Sequence, residues 1–383
     1  MNSEINDEQR LILDSLGRII ERSLPLHEQR RRDAAHEPPY DLLQLLGEAG
    51  VLRLPFPVEI GGLGGTWQTV ALVQEYLGRH AWMLGSLFNR AVGFGGMGLM
   101  TYGSPKQREA LMPRLMRGEL LFALALTEPD AGSDAAAVTT CAKRTSNGWQ
   151  LNGRKTWISD AEEADFMVVV ARTDPDAHRS VGLTLFLVPK GTPGMRCTPI
   201  PKIGNNCLPS FEVDFTDVEL AEDAVFGLES QGFANMASTL HYARAGMAAS
   251  TTGYAGFALE LALDHARTRQ QFGRPLGAFQ ALAHRLANMQ MRVDQSRLAA
   301  HDLAWRISND HPNARQAAQA KVIATECLQY VTHHGMQILA SPGYHADSDM
   351  ARVWRDSRLY SFGEGSNEIQ RNIIAKELGL GKT

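Results

Sequence analysis

A glutamate between two glycines is the residue whose surroundings most suggest chemistry. Glu364 lies between Gly363 and Gly365 in the stretch SFGEGSNEIQRNI, and the apolar rhythm that follows is typical of a helix. Glycine has no Cβ, so the backbone on either side of this carboxylate can come close to a ligand. A helix beginning near Ser366 would direct N–H dipoles toward the carboxylate and favour its anion. An exposed glutamate in a C-terminal loop is the alternative interpretation.

Two segments in the middle of the chain combine hydroxyl groups with an aromatic ring. ALTEPDAGSD, residues 125–134, predicts a compact loop that exposes the hydroxyls of Thr127 and Ser133. Such donors suit the polar edge of a ring or a carbonyl. RKTWIS, residues 154–159, predicts Trp157 on a strand beside hydroxyl-bearing neighbours, an arrangement that can hold a planar cofactor. An ordinary surface turn and a core tryptophan remain open for these two segments.

A third segment is basic and interrupts a helix. In RTRQQFGRPLGAFQ the helical pattern carries Arg267 and Arg269 and breaks at residues 273–275. With Phe272 and Gln280 nearby, these arginines could bind a phosphate and an adenine. A solvated basic turn is the alternative.

Composition and missing motifs narrow the class of protein. A formal net charge of -4 gives no reason to expect nucleic acid or an anionic membrane surface as a partner. The four cysteines, Cys141, Cys197, Cys207 and Cys327, form no CxxC, so we expect neither disulfides nor zinc but a reducing compartment. No His/Cys spacing predicts a metal site, and no G-x-S-x-G elbow is present. No apolar run is long enough to span a membrane, and the polar, acidic N-terminus does not resemble a targeting signal, so a bacterial-type cytoplasmic protein is expected.

The elements that must position these residues form three groups. Helices are predicted in the first third, with capping boxes at Asn6 and Ser104 and a stop at Gly118. Short β-branched runs follow, with Asn-Gly turn signals at 147–148 and 152–153. Alanine-rich helices are predicted at 234–266, 278–308 and 313–340. We therefore predict an α+β multi-domain protein: an N-terminal helical domain over residues 1–122, a middle antiparallel β-domain over 123–232 and a C-terminal helical bundle over 233–383.

Six motifs occur in an order that resembles the acyl-CoA dehydrogenase family over nearly the whole chain. They are LTEPDAGSD, KTWIS, RQQFGRPLGAFQ, MQILASPGY, WRDSRL and GEGSNEIQR. The resemblance implies a helix–β–helix fold with noncovalently bound FAD. It also implies a homotetramer, a dimer of dimers, in which a neighbouring subunit supplies part of each FAD site.

The resemblance also implies a set of site residues. The flavin would be lined from its own chain by Leu126, Thr127, Gly132, Ser133, Trp157 and Ser159. Across the interface the adenine-diphosphate half would be held by Arg269, Phe272, Gln280 and Gln337, while Ser366 and Glu368 are further FAD contacts. Substrate contacts would come from Ser133, Arg244, Gly363 and Gly365.

The implied reaction is the oxidation of an acyl-CoA to its trans-2-enoyl-CoA. Glu364 would remove the α-proton while a hydride leaves the β-carbon for the flavin, and an electron-transfer flavoprotein would accept the electrons. Some relatives carry the base on the first long helix of the last domain, but Ala243 stands at that place here. A carrier-protein thioester as substrate, an enoyl-CoA reductase, a flavin monooxygenase and a helical scaffold without activity are the alternatives.

Three features depart from the family pattern. His241 replaces an acidic residue that often contacts the pantetheine chain, and Ala340-Ser341 replaces a Gly-Gly pair beside the flavin pyrophosphate. Gly363 replaces a bulky aromatic residue.

The segment GFGGMG, residues 93–98, matches G-x-G-x-x-G, but no strand precedes it, so we predict a helix with close-packed glycines. Because the family places this helix at the far end of the acyl chain, these glycines either pack against neighbours or widen a cavity for bulky acyl groups.

Overall fold

A computed structural model describes residues 5–311 and 313–381. Residues 1–4 of the polar N-terminus, and the last two residues of the predicted C-terminal bundle, lie outside the described residues. Residue 312, just before the third predicted long helix, does as well.

The N-terminal domain is helical, as predicted. Both capping boxes are present, Asn6 with Gln9 and Ser104 with Gln107, and Gly118 ends the last helix with φ of +75°. The helices are α1 Asp7–Ser23, α2 Leu26–Ala35, α3 Leu43–Glu48, α4 Trp67–His80, α5 Trp82–Asn89, α6 Met97–Tyr102 and α7 Pro105–Met116.

The glycine-rich segment forms a π-helical turn, Arg90–Gly96, between α5 and α6. A Cβ on Gly95 would lie 2.6 Å from the ring of Phe122, and one on Gly96 would collide with the ring of Phe56. Close packing is therefore the role of these two glycines. The alternative, a cavity widened at these positions, is wrong because aromatic rings already fill the space.

The middle domain is a seven-stranded sheet that is mostly, but not wholly, antiparallel. Its strands are β1 Phe122–Ala125, β2 Cys141–Thr145, β3 Gly148–Ser159, β4 Phe166–Arg172, β5 Leu183–Pro189, β6 Met195–Pro199 and β7 Ser210–Ala221. Antiparallel pairs join β4 to β5, β2 to β3, β3 to β7 and β6 to β7. The predicted antiparallel β-domain is confirmed for these four pairs, but β1 runs parallel to β4 and β2 touches β4 in parallel at one pair of residues.

The two Asn-Gly signals have different outcomes. Asn147-Gly148 forms the predicted turn between β2 and β3. Asn152-Gly153 does not turn the chain, because pairing with β7 carries β3 straight through it. The register instead shifts between Leu151 and Gly153, and the Asn152 amide donates to Asp217 at 3.1 Å. Gly153, with φ of +147°, passes so close to Thr140 that a Cβ would lie 2.6 Å from its Cα.

The C-terminal domain is a bundle whose long helices match the predicted ones. They are α8 Gly232–Thr268, α9 Gln280–Ser308 and α10 Ala314–Leu339. A two-residue hairpin, β8 Gln270–Gln271 and β9 Arg274–Pro275, connects α8 to α9. Three shorter helices follow, α11 Ser341–Tyr344, α12 Asp349–Ser357 and α13 Asn367–Glu377. No helix in the described ranges is both long enough and apolar enough to cross a membrane.

A buried polar junction ties the three domains together. The Asp356 carboxylate of α12 accepts from the backbone N–H of Asn205, in the β6–β7 connection, at 2.6 Å and from Tyr254 Oη of α8 at 3.0 Å. The Asn205 side-chain oxygen accepts from Trp82 Nε1 of α5 at 3.4 Å and from Tyr360 Oη. The rings of Trp82 and Tyr254 stack with centroids 4.8 Å apart. We call these five residues the interdomain junction.

Candidate active site

Glu364 lies in a tight turn between the end of α12 and the start of α13. Its backbone is left-handed, with φ of +55°, and Gly365 follows with φ of +87°. A Cβ on Gly365 would lie 2.8 Å from Gln370 Nε2, so glycine is required there for both conformation and space. Ser366 then caps α13, because its hydroxyl accepts from the Ile369 N–H at 3.3 Å. We call residues 363–366 the base loop.

Glu364 is half-buried as a residue, but one oxygen of its carboxylate is buried without a hydrogen-bonding partner in the described structure. Its Oε2 is fully shielded from solvent and accepts from no described residue. Burial raises the pKa of Glu364 to about 7, although Arg244 and Lys321 oppose the shift. A carboxylate that titrates near neutral pH meets the main requirement of a general base.

Arg244 and Lys321 are the two cations beside the base loop. Arg244 on α8 has a buried Nε without a partner among the described residues, and a Cβ on Gly365 would lie 3.9 Å from its Nη2. Burial lowers the pKa of Arg244, and Glu364 raises it. Lys321 on α10 donates from Nζ to the Gly365 carbonyl at 3.0 Å and to Asn367 Oδ1 at 2.9 Å. The base loop is therefore held next to positive charge.

Lys321 was missed from the sequence, and the reason is physical. It lies in AAQAKVIATE, which predicts an amphipathic helix in which a lysine would normally face water. Only the packing of α10 against the start of α13 buries it. The available signal was a lone lysine at a position flanked by small apolar residues.

The loop 126–133 and the end of β3 form an open surface that we call the middle-domain shelf. Thr156 N–H donates to the Thr127 carbonyl at 2.9 Å, which joins the loop to the strand. Trp157 has a left-handed φ of +60° and its side chain is 55% exposed, so it is not a core tryptophan. A Cβ on Gly132 would meet no atom within 4 Å. The half-buried Leu126, the exposed Ser133 and the half-buried Ser159 complete the shelf.

A buried ion pair supports the shelf from below. Lys155 Nζ lies 2.8 Å from Glu128 Oε1 and 3.0 Å from the Leu126 carbonyl. Glu128 also accepts from the backbone N–H groups of Thr139 and Thr140 at 2.7 and 2.9 Å. Burial disfavours the Glu128 anion, but Lys155 and these hydrogen bonds lower the pKa of Glu128 to about 2. Glu128 and Lys155 were not predicted to pair, although they lie in the segments 125–134 and 154–159.

The end of β3 is fixed by a second buried charge. Asp160, directly after Ser159, forms an ion pair with Arg90 of the π-helical turn at 2.7 Å and accepts from Tyr40 Oη at 2.5 Å. This contact fixes the shelf relative to the N-terminal domain.

The residues expected to reach a neighbouring FAD are exposed on the bundle: three lie at or beside the α8–α9 connection, and Gln337 lies near the end of α10. Arg269, Gln280 and Gln337 are exposed, and Phe272 at the tip of the β8–β9 hairpin is 91% exposed. No hydrogen bond or ion pair in the described chain joins these four to the shelf of the same subunit. Glu368 is exposed in the first turn of α13, beside the base loop.

The shelf fits the planar part of a flavin. It offers an exposed tryptophan ring, hydroxyl groups that are engaged with no other described residue, and open space at Gly132. A planar ring with polar edges needs these features: an apolar face and donors at its rim.

A cavity of about 750 Å³ opens one helical turn from Arg244. Its walls include His241 and Tyr242 of α8, Arg306 of α9, Arg315 of α10 and Glu377 at the end of α13. Burial, together with Arg244, lowers the pKa of His241 to about 4, so this ring is neutral at physiological pH. The base loop lies at one end of α13 and the cavity at the other, about 16 Å apart along the helix.

Comparison with known proteins identifies the family. Sequence models of the acyl-CoA dehydrogenase N-terminal, middle and C-terminal domains match residues 6–119, 123–218 and 230–379. The chain is 32% identical over 379 residues to a probable acyl-CoA dehydrogenase, YngJ, of Bacillus subtilis, covering 99% of this chain and 100% of that protein. It is also 32% identical to the mitochondrial short-chain specific acyl-CoA dehydrogenase of Homo sapiens, covering 98% and 91%. The solved butyryl-CoA dehydrogenase of Megasphaera elsdenii superposes with a TM-score of 0.94 at 30% identity, covering 99% and 100%. This chain therefore belongs to the acyl-CoA dehydrogenase family, whose members are FAD-dependent oxidoreductases.

Proposed function

We propose that this chain oxidises an acyl-CoA thioester to the trans-2-enoyl-CoA, with Glu364 as the base that removes the α-proton. The observation that supports this most strongly is the buried Glu364 Oε2, which has no described partner and belongs to a carboxylate with its pKa raised to about 7. A partnerless buried oxygen is costly unless a ligand uses it.

The base loop supplies the two things that α-proton removal needs. Glu364 Oε2 would accept the proton. The backbone N–H groups of Glu364 and Gly365 form no hydrogen bond in the described structure, so they are available to a thioester carbonyl. Donors at that oxygen stabilise the negative charge that develops as the α-proton leaves.

The cofactor in this proposal is FAD, which when bound accepts the hydride from the β-carbon. Its flavin would lie on the middle-domain shelf, against Trp157 and within reach of the Thr127, Ser133 and Ser159 hydroxyls. Arg269, Phe272, Gln280 and Gln337 of a neighbouring subunit would hold the adenine-diphosphate half, because these exposed side chains do not contact the shelf of their own chain. Ser366 and Glu368 are the further candidate contacts.

The polar end of the thioester would extend along α13 into the cavity beside His241. Arg315 would provide positive charge there for phosphate groups, whereas Arg306 is paired with Asp302 at 2.9 Å, and Asp310 and Glu377 also line the cavity. The neutral His241 ring, tilted by 40° against Tyr242 with centroids 3.9 Å apart, replaces the acidic residue expected at this place. An uncharged imidazole at this place does not repel the phosphate groups of the thioester.

The electron acceptor and the setting complete the proposal. We infer an electron-transfer flavoprotein as acceptor and a homotetramer as the assembly. The four free cysteines are consistent with a reducing compartment, and we propose the bacterial cytoplasm.

The first test is anaerobic bleaching of the enzyme-bound flavin with a panel of acyl-CoA thioesters. Bleaching by at least one saturated acyl-CoA, with the enoyl product found by mass spectrometry, is expected. No bleaching by any member of the panel would contradict the proposal.

Glu364→Gln tests the base. The variant keeps the shape of the side chain but cannot accept a proton, so flavin reduction should fall by several orders of magnitude while flavin and thioester still bind. The measurement is stopped-flow flavin absorbance with the best substrate of the panel. Glu119→Gln, which changes an exposed glutamate far along the chain, is the matched control and should react at the wild-type rate.

A further inference from the structure

Lys321 is buried in a helix that is otherwise apolar on its inner side. Its side chain has no solvent exposure, and Ala317, Ala320 and Ala324 are buried around it on α10. Burying an ammonium group is costly unless hydrogen bonds and opposite charge compensate it. The structure provides both kinds of compensation at the base loop.

The contacts of Lys321 converge on the turn that follows Glu364. Its ammonium donates to the Gly365 carbonyl and to Asn367 Oδ1, and Thr325 Oγ1 donates to the same oxygen of Asn367 at 3.2 Å. Gln370 Nε2 donates to the Gly365 carbonyl from the other side at 3.1 Å. The Gly365 carbonyl is thus held by a charged donor from α10 and a neutral donor from α13.

The conformation of Glu364 needs such support. A left-handed backbone is unfavourable for a residue with a Cβ and persists only where surrounding contacts impose it. The carbonyl that Lys321 holds belongs to Gly365, so the contact fixes the peptide unit between Gly365 and Ser366, directly after the residue pair that carries the left-handed backbone.

The charges that face Glu364 come from several elements. Arg244 faces it from α8, Lys321 from α10 and Tyr360 from the turn after α12. Burial lowers the pKa of Lys321 to about 8, Arg244 adds to that shift, and Glu364, Glu368 on α13 and Glu326 on α10 oppose it. Removing Lys321 therefore removes one of two cations and leaves Arg244 in place.

We propose that Lys321 is the positioning residue of the base loop: its ammonium holds the Gly365 carbonyl so that Glu364 keeps its left-handed backbone, and its charge favours the carboxylate form of Glu364. This inference rests on the proposed function, because it assigns a role toward the proposed base. Lys321 acts through the loop and through its field, and it takes no part in proton transfer itself.

The effect of the Lys321 charge on Glu364 is tested by the pH profile of flavin reduction in the flavin-loaded enzyme. The acidic limb of this profile is the pH range in which the rate rises as Glu364 loses its proton. Lys321→Met should move the acidic limb of the profile toward higher pH, and Lys321→Arg should return it to the wild-type position. A shift of about one pH unit lowers the rate at pH 7 by about fivefold, with recovery above pH 9. A purely structural role would lower the rate at every pH and leave the limb in place, and that result in Lys321→Met would overturn the proposal.

The contact by which Lys321 fixes the base loop is tested without catalysis, by hydrogen exchange with mass spectrometry on the holoenzyme. The amides of Gly363, Ile369 and Gln370 donate to the Leu359 carbonyl, the Ser366 hydroxyl and the Ser366 carbonyl, and they should exchange at least tenfold faster in Lys321→Met than in the wild type. Lys143→Met, which changes an exposed lysine of β2, should leave them unchanged. Unchanged exchange in Lys321→Met would overturn the positioning role.

The two readouts separate this inference from the proposed function. If no acyl-CoA reduces the wild-type flavin, the proposed function fails, while the exchange experiment still decides whether Lys321 holds the loop. If Lys321→Met does not fold, Lys321→Gln takes its place. Gln is neutral and still polar, so the limb must move in the same direction for the proposal to stand.

Discussion

At the scale of single residues, the site depends on a carboxylate that burial keeps partly protonated. Glu364 has a higher pKa in the folded protein than in an unfolded chain, so the folded state binds an extra proton between about pH 4.5 and 7. The free energy of unfolding must therefore decrease as pH rises through that window. Above it, the folded protein carries the full cost of a buried negative charge.

This cost predicts that Glu364→Gln stabilises the protein at high pH. The shift from 4.5 to about 7 sets an upper bound of about 3 kcal/mol, and we expect on the order of 1–3 kcal/mol at pH 8.5. At pH 4 the gain should nearly vanish, because Glu364 is then protonated in the folded state and mostly protonated in the unfolded chain as well. Urea unfolding midpoints of wild type, Glu364→Gln and Glu119→Gln at both pH values measure this, and an equal gain at both would contradict it.

Individual residues also show what the sequence can and cannot predict. The two glycines around Glu364 are local signals: Gly365 has a left-handed backbone that favours glycine, whereas Gly363 does not. Lys321 meets the base loop only through a contact 44 residues away in sequence, and Lys155 meets Glu128 across 27. Such pairs depend on which helix or strand packs against which, and that information is not local.

At the scale of elements, helix ends were predictable and irregular geometry was not. Capping boxes act within four residues, so α1 and α7 begin where the sequence predicts. The π-helical turn at residues 90–96 and the straight passage of β3 through Asn152-Gly153 are imposed by neighbours, Phe122 and Phe56 in one case and β7 in the other. Tertiary contacts therefore overrode local turn and helix preferences at these places.

The glycines of the π-helical turn give a prediction at this scale. Gly95→Leu and Gly96→Leu should each destabilise the protein by about 1–3 kcal/mol, because the new side chains must displace aromatic rings. Thermal unfolding measures this. Gly256→Ala on α8 is the matched control: its Cβ would lie 3.5 Å from the mobile end of Arg79, so we expect it to be neutral or stabilising by up to about 1 kcal/mol. Wild-type stability in both leucine variants would contradict this prediction, because it would show that the Phe122 and Phe56 rings can move to make room for the new side chains.

At the scale of the whole molecule, the proposed FAD site is shared between subunits, so cofactor and assembly should be linked. Arg269→Ala should weaken FAD retention and the oligomer together, and added FAD should restore both. Size-exclusion chromatography with detection of flavin absorbance measures the two at once. Arg267→Ala, two residues earlier on α8 and paired with Asp264 at 3.3 Å, is the control. A monomer that holds FAD at full occupancy would refute shared binding.

The interdomain junction has a consequence for protein engineering and for recombination between relatives. Asp356, Asn205, Trp82 and Tyr254 come from all three domains, and separating any one of them leaves a buried carboxylate or amide without its partners. A chimaera that exchanges only the middle domain with a relative must therefore import a residue that can replace Asn205, or lose the junction. Crossovers placed at the domain boundaries should fail unless both sides carry matching junction residues, so the three domains are expected to be inherited as one block.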